Sequence, residues 1–266
     1  MTRRKTSSVE PTDVSNHRFY ISPKAWSATA PVLEGSEAHH CVEVLRLGLG
    51  ARVVAFNGQG SEITGEIVEV SKERVRLKPI LFGRSPKLRC AITLAQAIPK
   101  GKNMELIVQK ATELGVSRIV PLLSERTIVH LDAAESQKRV EKWRQVVIEA
   151  AKQCGQNWLP EIVAPLAPKQ FFAEFDRYEA ALIASLQSDA RSFRNVLHEF
   201  RDQHGRRPQS ALILIGPEGD FTPAEAAFAK SAGCVPVTLG PIVLRTETAA
   251  IYSLSVLAYE LQGEDT

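Results

Sequence analysis

Ile213-Leu214-Ile215-Gly216-Pro217-Glu218-Gly219-Asp220-Phe221 and, further on, Leu239-Gly240-Pro241-Ile242-Val243-Leu244-Arg245-Thr246-Glu247-Thr248-Ala249 share one local grammar. Each reads as a buried strand that ends in a tight loop and opens a helix. In the first, the apolar run Ala211 to Ile215 has the length of a fully covered strand, Gly216 and Gly219 free the backbone, and Thr222-Pro223-Ala224-Glu225 is a capping box. In the second, Val235 to Leu239 is the strand, and Ala250, Ile251, Leu254, Leu257, Ala258 and Leu261 mark one face of the helix. Such loops leave backbone N–H groups bare at strand ends, where open α/β sheets bind ligands.

Upstream the same alternation holds. Cys90 to Ala97 reads as a strand, and the helix Asn103 to Leu114 keeps Met104, Ile107, Val108 and Ala111 on one face and stops at Gly115. Arg118 to Leu123 is the next strand. A helix from about Ala134 to Cys154 carries Val140, Trp143, Val147, Ala150 and Cys154 on one face, and Ala180 to Leu186 and a helix near Arg191 to His204 follow. Alternation of this kind implies a parallel sheet covered on both sides. Residues 17–81 differ: short strands at Arg18–Ile21, Arg52–Phe56, Glu62–Val70 and Arg74–Ile80, with one helix near Glu37 to Leu45, describe a small β-barrel. Asn57-Gly58-Gln59-Gly60 reads as a hairpin turn within it. Residues 82–89, with Gly83 and Pro86, read as a linker to a second domain over 90–266, and residues 1–16 as a disordered tail.

With 266 residues, 44% hydrophobic and 24% charged, the chain can bury a substantial core. No apolar run approaches a membrane span, and Met1-Thr2-Arg3-Arg4-Lys5 lacks the apolar stretch of a secretory signal, so a cytoplasmic location is expected. Cys41, Cys90, Cys154 and Cys234 are scattered with no C-x-x-C pair, which fits reduced, mostly buried thiols and no metal site. Residues 1–89 hold 14 Lys or Arg against 9 acids, whereas 90–266 hold 19 against 21. A basic first domain suits a polyanionic partner. No G-x-G-x-x-G follows a strand, and no phosphate-loop, G-x-S-x-G or H-E-x-x-H motif is present.

Together the two loops resemble the cofactor loops of the SPOUT methyltransferases, and specifically the family that methylates N3 of a uridine in 16S ribosomal RNA. Gln109-Lys110-Ala111-Thr112-Glu113-Leu114-Gly115-Val116, Ser124-Glu125-Arg126, Glu149 to Gly155 with Pro160-Glu161-Ile162, Arg18-Phe19-Tyr20 and Val44-Leu45-Arg46 match that family in order. The resemblance implies a SPOUT-type parallel sheet with a C-terminal trefoil knot, preceded by a PUA-like RNA-binding barrel, and a homodimer. It also implies S-adenosylmethionine as cofactor and 16S rRNA in the small ribosomal subunit as substrate.

N3 of uracil is a weakly acidic imide, so the site needs a base or a group that stabilises the anion. Arg245 is expected in the second role; Glu218 and Glu247 are candidate bases. By resemblance, Ile215, Gly216, Gly219, Leu239, Gly240, Leu244 and Thr246 bind the cofactor, with the residues before Gln187 as a third wall, and Arg18, Arg46, Lys100 and Arg126 contact RNA phosphates. The chain departs from the family pattern at Glu43, Gln156, Trp158, Asp220 and Ile242, each a loss of positive charge, a gain of negative charge or a restriction of backbone. Two alternatives stand beside this reading: a methyltransferase of the same fold acting on another RNA, and a catalytically silent RNA-binding assembly factor.

Overall fold

The short strands of the first eighty residues form one mixed sheet in the computed structural model, which describes residues 17–127, 132–174 and 178–263. Residues 1–16, expected as a tail, lie outside the described residues. The chain divides after Pro86 into two units.

In the first unit, β1 (Arg18–Tyr20), β2 (Val32–Glu34), α1 (Gly35–His39), β3 (Arg52–Phe56), β4 (Ser61–Val70) and β5 (Arg74–Arg84) follow in order. The sheet runs β1-β3-β4-β5-β2, with β1 parallel to β3 and every other pair antiparallel. Two register shifts, at Thr64/Gly65 and Ile67/Glu69, curl the long β4–β5 ribbon around Phe19, Leu33, Ala38, Cys41, Val53 and Val75. β1 and β2 stay at the edges, so the expected barrel is a half-barrel. The helix starts two residues earlier than its apolar spacing suggests and passes at His40 into a π-helical turn, His40–Val44, in which Leu45 N–H donates to His40 O at 2.9 Å. The hairpin forms as expected: Asn57 Oδ1 accepts from Gln59 N at 2.8 Å and Ser61 N at 3.1 Å. β5 runs through Arg84, into the stretch that reads as a linker.

In the second unit β6 (Ala91–Ala97), α2 (Asn103–Glu113), β7 (Arg118–Leu122), α3 (Ala133–Cys154), β8 (Glu161–Ile162), α4 (Pro168–Glu174), β9 (Ala180–Ala184), β10 (Arg191–Ser192), α5 (Phe193–His204), β11 (Ser210–Ile215), α6 (Pro223–Ser231), β12 (Val235–Thr238) and α7 (Thr246–Gln262) build one sheet. Its order is β10-β12-β9-β11-β6-β7-β8, parallel throughout. β11 shows why it is covered on both sides. Ala211, Ile213 and Ile215 point into a core shared with α2, α3, α5 and α7, while Leu212 and Leu214 point into one shared with Phe171 of α4 and Ala229 of α6. Each such aliphatic side chain contributes about 1.5–3 kcal/mol by leaving water.

α3 is capped at both ends. Asp132 and Glu135 form a capping box, and Gly155 closes the helix at φ 78°. Its buried stripe is Val140, Trp143, Val147, Ala150 and Ala151; Cys154, expected on that stripe, is exposed because the helix ends there. Burial pushes the Cys90 and Cys234 thiols up to about 12, with Glu179 adding to the shift at Cys90, and burial with the Glu37 charge pushes Cys41 up to about 11. A thiol reagent at neutral pH should therefore modify Cys154 alone in the native protein and all four cysteines after unfolding. Intact mass reads this directly, and a second adduct on the native chain would contradict the burial assigned to the other three. Among the described residues, no helix is long and apolar enough to cross a membrane.

Candidate active site

Strand order brings three loops together. Because β9 lies between β11 and β12, the carboxyl ends of all three strands open side by side. The chain leaving β11 turns at Pro217, where Asp220 N–H donates to Pro217 O at 3.0 Å, and enters α6 through the Thr222–Glu225 capping box. The chain leaving β12 bends at Gly240, φ 118°, a value that essentially only glycine adopts, and enters α7 at Thr246. Ala184 to Gln187, after β9, form the third side.

These segments enclose a cavity of about 690 Å³. Ile215, Gly216, Gly219, Leu239, Gly240, Leu244 and Thr246 all line it, as do Arg245, Glu218 and Glu247. All ten positions singled out for cofactor and catalysis are thus in one place. Arg245 is the N-cap residue of α7, exposed, and among the described residues it makes no ion pair, with Glu218, Glu247 or any other carboxylate. Glu218 accepts from Lys100 N–H at 3.3 Å. Glu247 is half-buried in the first turn of α7.

The four cations expected to meet RNA are differently placed. Arg18 is 14% exposed, bonds Glu62 at 3.1 Å and stacks 5.0 Å from the Phe56 ring, so its charge is engaged inside the first unit. Arg46 is exposed, with φ 54°, just past the π-helical turn. Lys100 and Arg126 both adjoin the loop after β11. Arg126 Nη1 donates to Gly219 O and, at 3.4 Å, to Asp220 O, while the neighbouring Glu125 N–H donates to Glu225 Oε1 at 2.9 Å.

One residue of the site escapes a sequence reading. Gln96, fully buried near the end of β6, donates through Nε2 to Thr246 Oγ1 at 3.1 Å, and Thr246 Oγ1 donates to Gly216 O at 2.7 Å. The only signal is an amide inside a strand that otherwise holds just Thr93 among aliphatic residues.

The surrounding sequence now has counterparts. Residues 86–258 match the family described as RNA methyltransferase domain, and residues 33–80 the family described as RNA methyltransferase PUA domain. Ribosomal RNA small subunit methyltransferase E of Bacillus subtilis is 31% identical over 235 residues, which are 86% of this chain and 90% of that protein. The chain belongs to the ribosomal RNA small subunit methyltransferase E family. The methyltransferase E of Synechocystis is 30% identical over 91% of this chain and 77% of its own length. Among solved structures, methyltransferase E of Neisseria gonorrhoeae bound to S-adenosyl methionine aligns with a TM-score of 0.80 at 29% identity, covering 91% of this chain and 97% of that one. A Legionella pneumophila protein with the cofactor SAM bound aligns at 0.82 and 34% identity, over 92% and 98%.

Within the methyltransferase E family the departures in this chain acquire physical meaning. Asp220 adopts φ 67°, which Asp tolerates better than most residues, and its carboxylate accepts from Phe221 N–H at 2.7 Å and from Leu186 N–H at 3.4 Å. It therefore ties the first loop to the third wall. Replacing Asp220 by Ala should cost about 1–2 kcal/mol, since the left-handed conformation loses its side-chain support, and Asp220→Gly should cost less. Chemical denaturation of the two variants compares them; an Ala variant as stable as the Gly one would remove the conformational argument. Glu43 pairs with Lys72 at 3.7 Å, and Lys87 Nζ sits 5.0 Å from the Trp158 ring centroid. Ile242 stands 73% exposed at the cavity rim. Nothing in the structure explains Gln156.

Proposed function

We propose that this chain transfers a methyl group from S-adenosylmethionine to N3 of a specific uridine in 16S rRNA. The observation that carries the reading is the cavity itself: the seven residues expected by family likeness and the three expected from the chemistry line one space, and the Arg245 guanidinium at its edge has no ion-pair partner among the described residues. The fit to the cofactor is physical. A volume of about 690 Å³ lies within the roughly 300–1,000 Å³ usual for such sites. Ile215, Leu239 and Leu244 offer apolar faces to a purine, and Gly216, Gly219 and Gly240, with no side chains, let it approach the loop backbone closely. Bound there, S-adenosylmethionine supplies an electrophilic methyl group on a positively charged sulfur.

The protein's own residues prepare the nucleophile. Arg245 stabilises negative charge as the uracil imide loses its N3 proton, because a guanidinium stays protonated throughout. Glu247 or Glu218 accepts that proton. Glu247 is the better free of the two, since Glu218 already receives the Lys100 N–H.

The first unit and the cations beside the cavity serve the RNA. Arg46, Lys100 and Arg126 are exposed and suited to phosphates, and Arg18 joins them only by leaving Glu62. The two units act as a PUA-like RNA-binding domain over residues 17–81 and a methyltransferase domain over 90–266. In the second, α7 returns from β12 to pack on α2, β6 and β11, which supports a threaded, trefoil-knotted C-terminal segment. Exposed Tyr252 and Tyr259 on α7, with Ile242 and Val243, support a homodimer. The substrate is the assembled small ribosomal subunit in the cytoplasm. Asp220 and Ile242 motivate the alternative of a silent assembly factor, yet Asp220 strengthens the loop and Ile242 stands at the rim, so neither fills the cavity.

Small subunits from cells lacking the enzyme, incubated with labelled S-adenosylmethionine, should acquire a single 3-methyluridine in 16S rRNA, read by nucleoside mass spectrometry. Naked 16S rRNA should react more slowly. A different modified nucleoside would assign another RNA substrate, and cofactor binding without transfer would restore the silent factor.

A further inference from the structure

We infer that Gln96 is a positioning residue, which holds the cofactor cavity in shape by directing the Thr246 hydroxyl onto the Gly216 carbonyl. The inference rests on the cofactor reading above and adds a residue to it.

The direction of each hydrogen bond is fixed by chemistry. Gln96 is fully buried, and its side-chain amide lies 2.9 Å from Ala97 O through Nε2. A carbonyl only accepts, so the amide must present its nitrogen there, and the same nitrogen faces Thr246 Oγ1 at 3.1 Å. Thr246 Oγ1 is therefore an acceptor toward Gln96. Its one proton is left for Gly216 O, at 2.7 Å. Rotated by half a turn, the amide would set its oxygen against Ala97 O and free the hydroxyl to turn away from Gly216.

The three residues also occupy the positions where such a relay matters. Gln96 sits opposite Ile215 in the β6–β11 ladder, beside the last residue before the first cofactor loop. Gly216 begins that loop, and Thr246 is the first residue of α7, where the second loop ends. Gln96 thereby links both cofactor loops to the interior of the sheet, where no solvent motion reaches them.

The remaining atom argues against a purely structural purpose. Gln96 Oε1 is buried and makes no hydrogen bond among the described residues. A buried acceptor without a partner weakens the fold and offsets part of what the two bonds donated by Nε2 contribute.

The test separates stability from cofactor binding. Gln96→Met should change the melting temperature little, because the orphaned Oε1 goes together with the two donated bonds, yet raise the Kd for S-adenosylmethionine about tenfold, measured by calorimetry without RNA. Thr246→Val should weaken binding similarly, Thr246→Ser less, and the Gln96→Met/Thr246→Val double variant no more than Thr246→Val alone, because both act through one hydroxyl. Additive losses, or an unaltered Kd in Gln96→Met, would overturn the relay. If Gln96→Met does not fold, equal affinity in the Val and Ser variants of Thr246 overturns it instead. Wild-type protein that fails to bind S-adenosylmethionine overturns the cofactor reading and the relay together, whereas wild-type binding with an insensitive Gln96 removes the relay only.

Discussion

Arg245→Ala should lower the rate of methyl transfer by roughly a hundredfold or more at saturating cofactor, the usual loss when one group that stabilises developing charge is removed. Cofactor affinity should change far less. The split follows from where the side chain is placed. Arg245 belongs to the cavity wall, but it caps α7 through its backbone conformation and its side chain makes no capping bond. Truncation therefore leaves the helix start and the neighbouring Thr246–Gly216 bond intact. Arg245→Lys should recover part of the rate, since a point charge replaces a planar fork. Single-turnover kinetics with small ribosomal subunits would measure both variants. An Ala variant that transfers methyl at the wild-type rate would return Arg245 to the protein surface as an ordinary cation.

Gly216→Val should act on the other quantity and weaken cofactor binding. A Cβ at position 216 would meet Asp220 Oδ1 and Phe221 N, each at 3.1 Å, tighter than side chains ordinarily approach. Neither neighbour can step aside freely. Phe221 N–H is held by Asp220 Oδ1, and Asp220 is held by Leu186 N–H and by Arg126 at its carbonyl. Overpacking of this kind costs about 1–3 kcal/mol. Relieved by moving the loop, the same energy becomes a loss of roughly 5- to 150-fold in cofactor affinity. Calorimetry and thermal unfolding on one preparation would show where the cost falls. Wild-type affinity and stability together would mean that the loop yields more readily than its hydrogen bonds indicate.

Much of this site is legible in the order of the amino acids alone. The two loops announce themselves through glycines at strand ends, a capping box at Thr222–Glu225 after the first and the apolar face of the helix after the second. The parallel sheet follows from alternation, and β11 shows its two-sided burial as a short apolar run. What escapes depends on distance in sequence or on brevity. Strands of two residues, such as β8 and β10, carry no periodicity, and the π-helical turn after α1 keeps the spacing of an ordinary helix nearly unchanged. Gln96 is one amide in a mostly apolar strand, and its meaning appears only once β6 is seen to lie beside β11. Arg126 reads as a phosphate contact, whereas its carbonyl partners on the first cofactor loop exist because β7 lies next to β6 and β6 next to β11.

The all-parallel sheet has a kinetic consequence. No two of its adjacent strands can be joined by a hairpin, so each ladder forms only after a long chain loop has closed, and such sheets fold slowly. β9 must be flanked by both β11 and β12 before the three cavity-lining segments meet, and β12 is the last strand synthesised. A chain caught part-way has strands and helices but nowhere for the cofactor to bind. The cofactor then acts as an inspector of finished molecules: by binding the native state alone it draws the folding equilibrium forward, and newly made protein becomes more resistant to proteolysis wherever S-adenosylmethionine is plentiful.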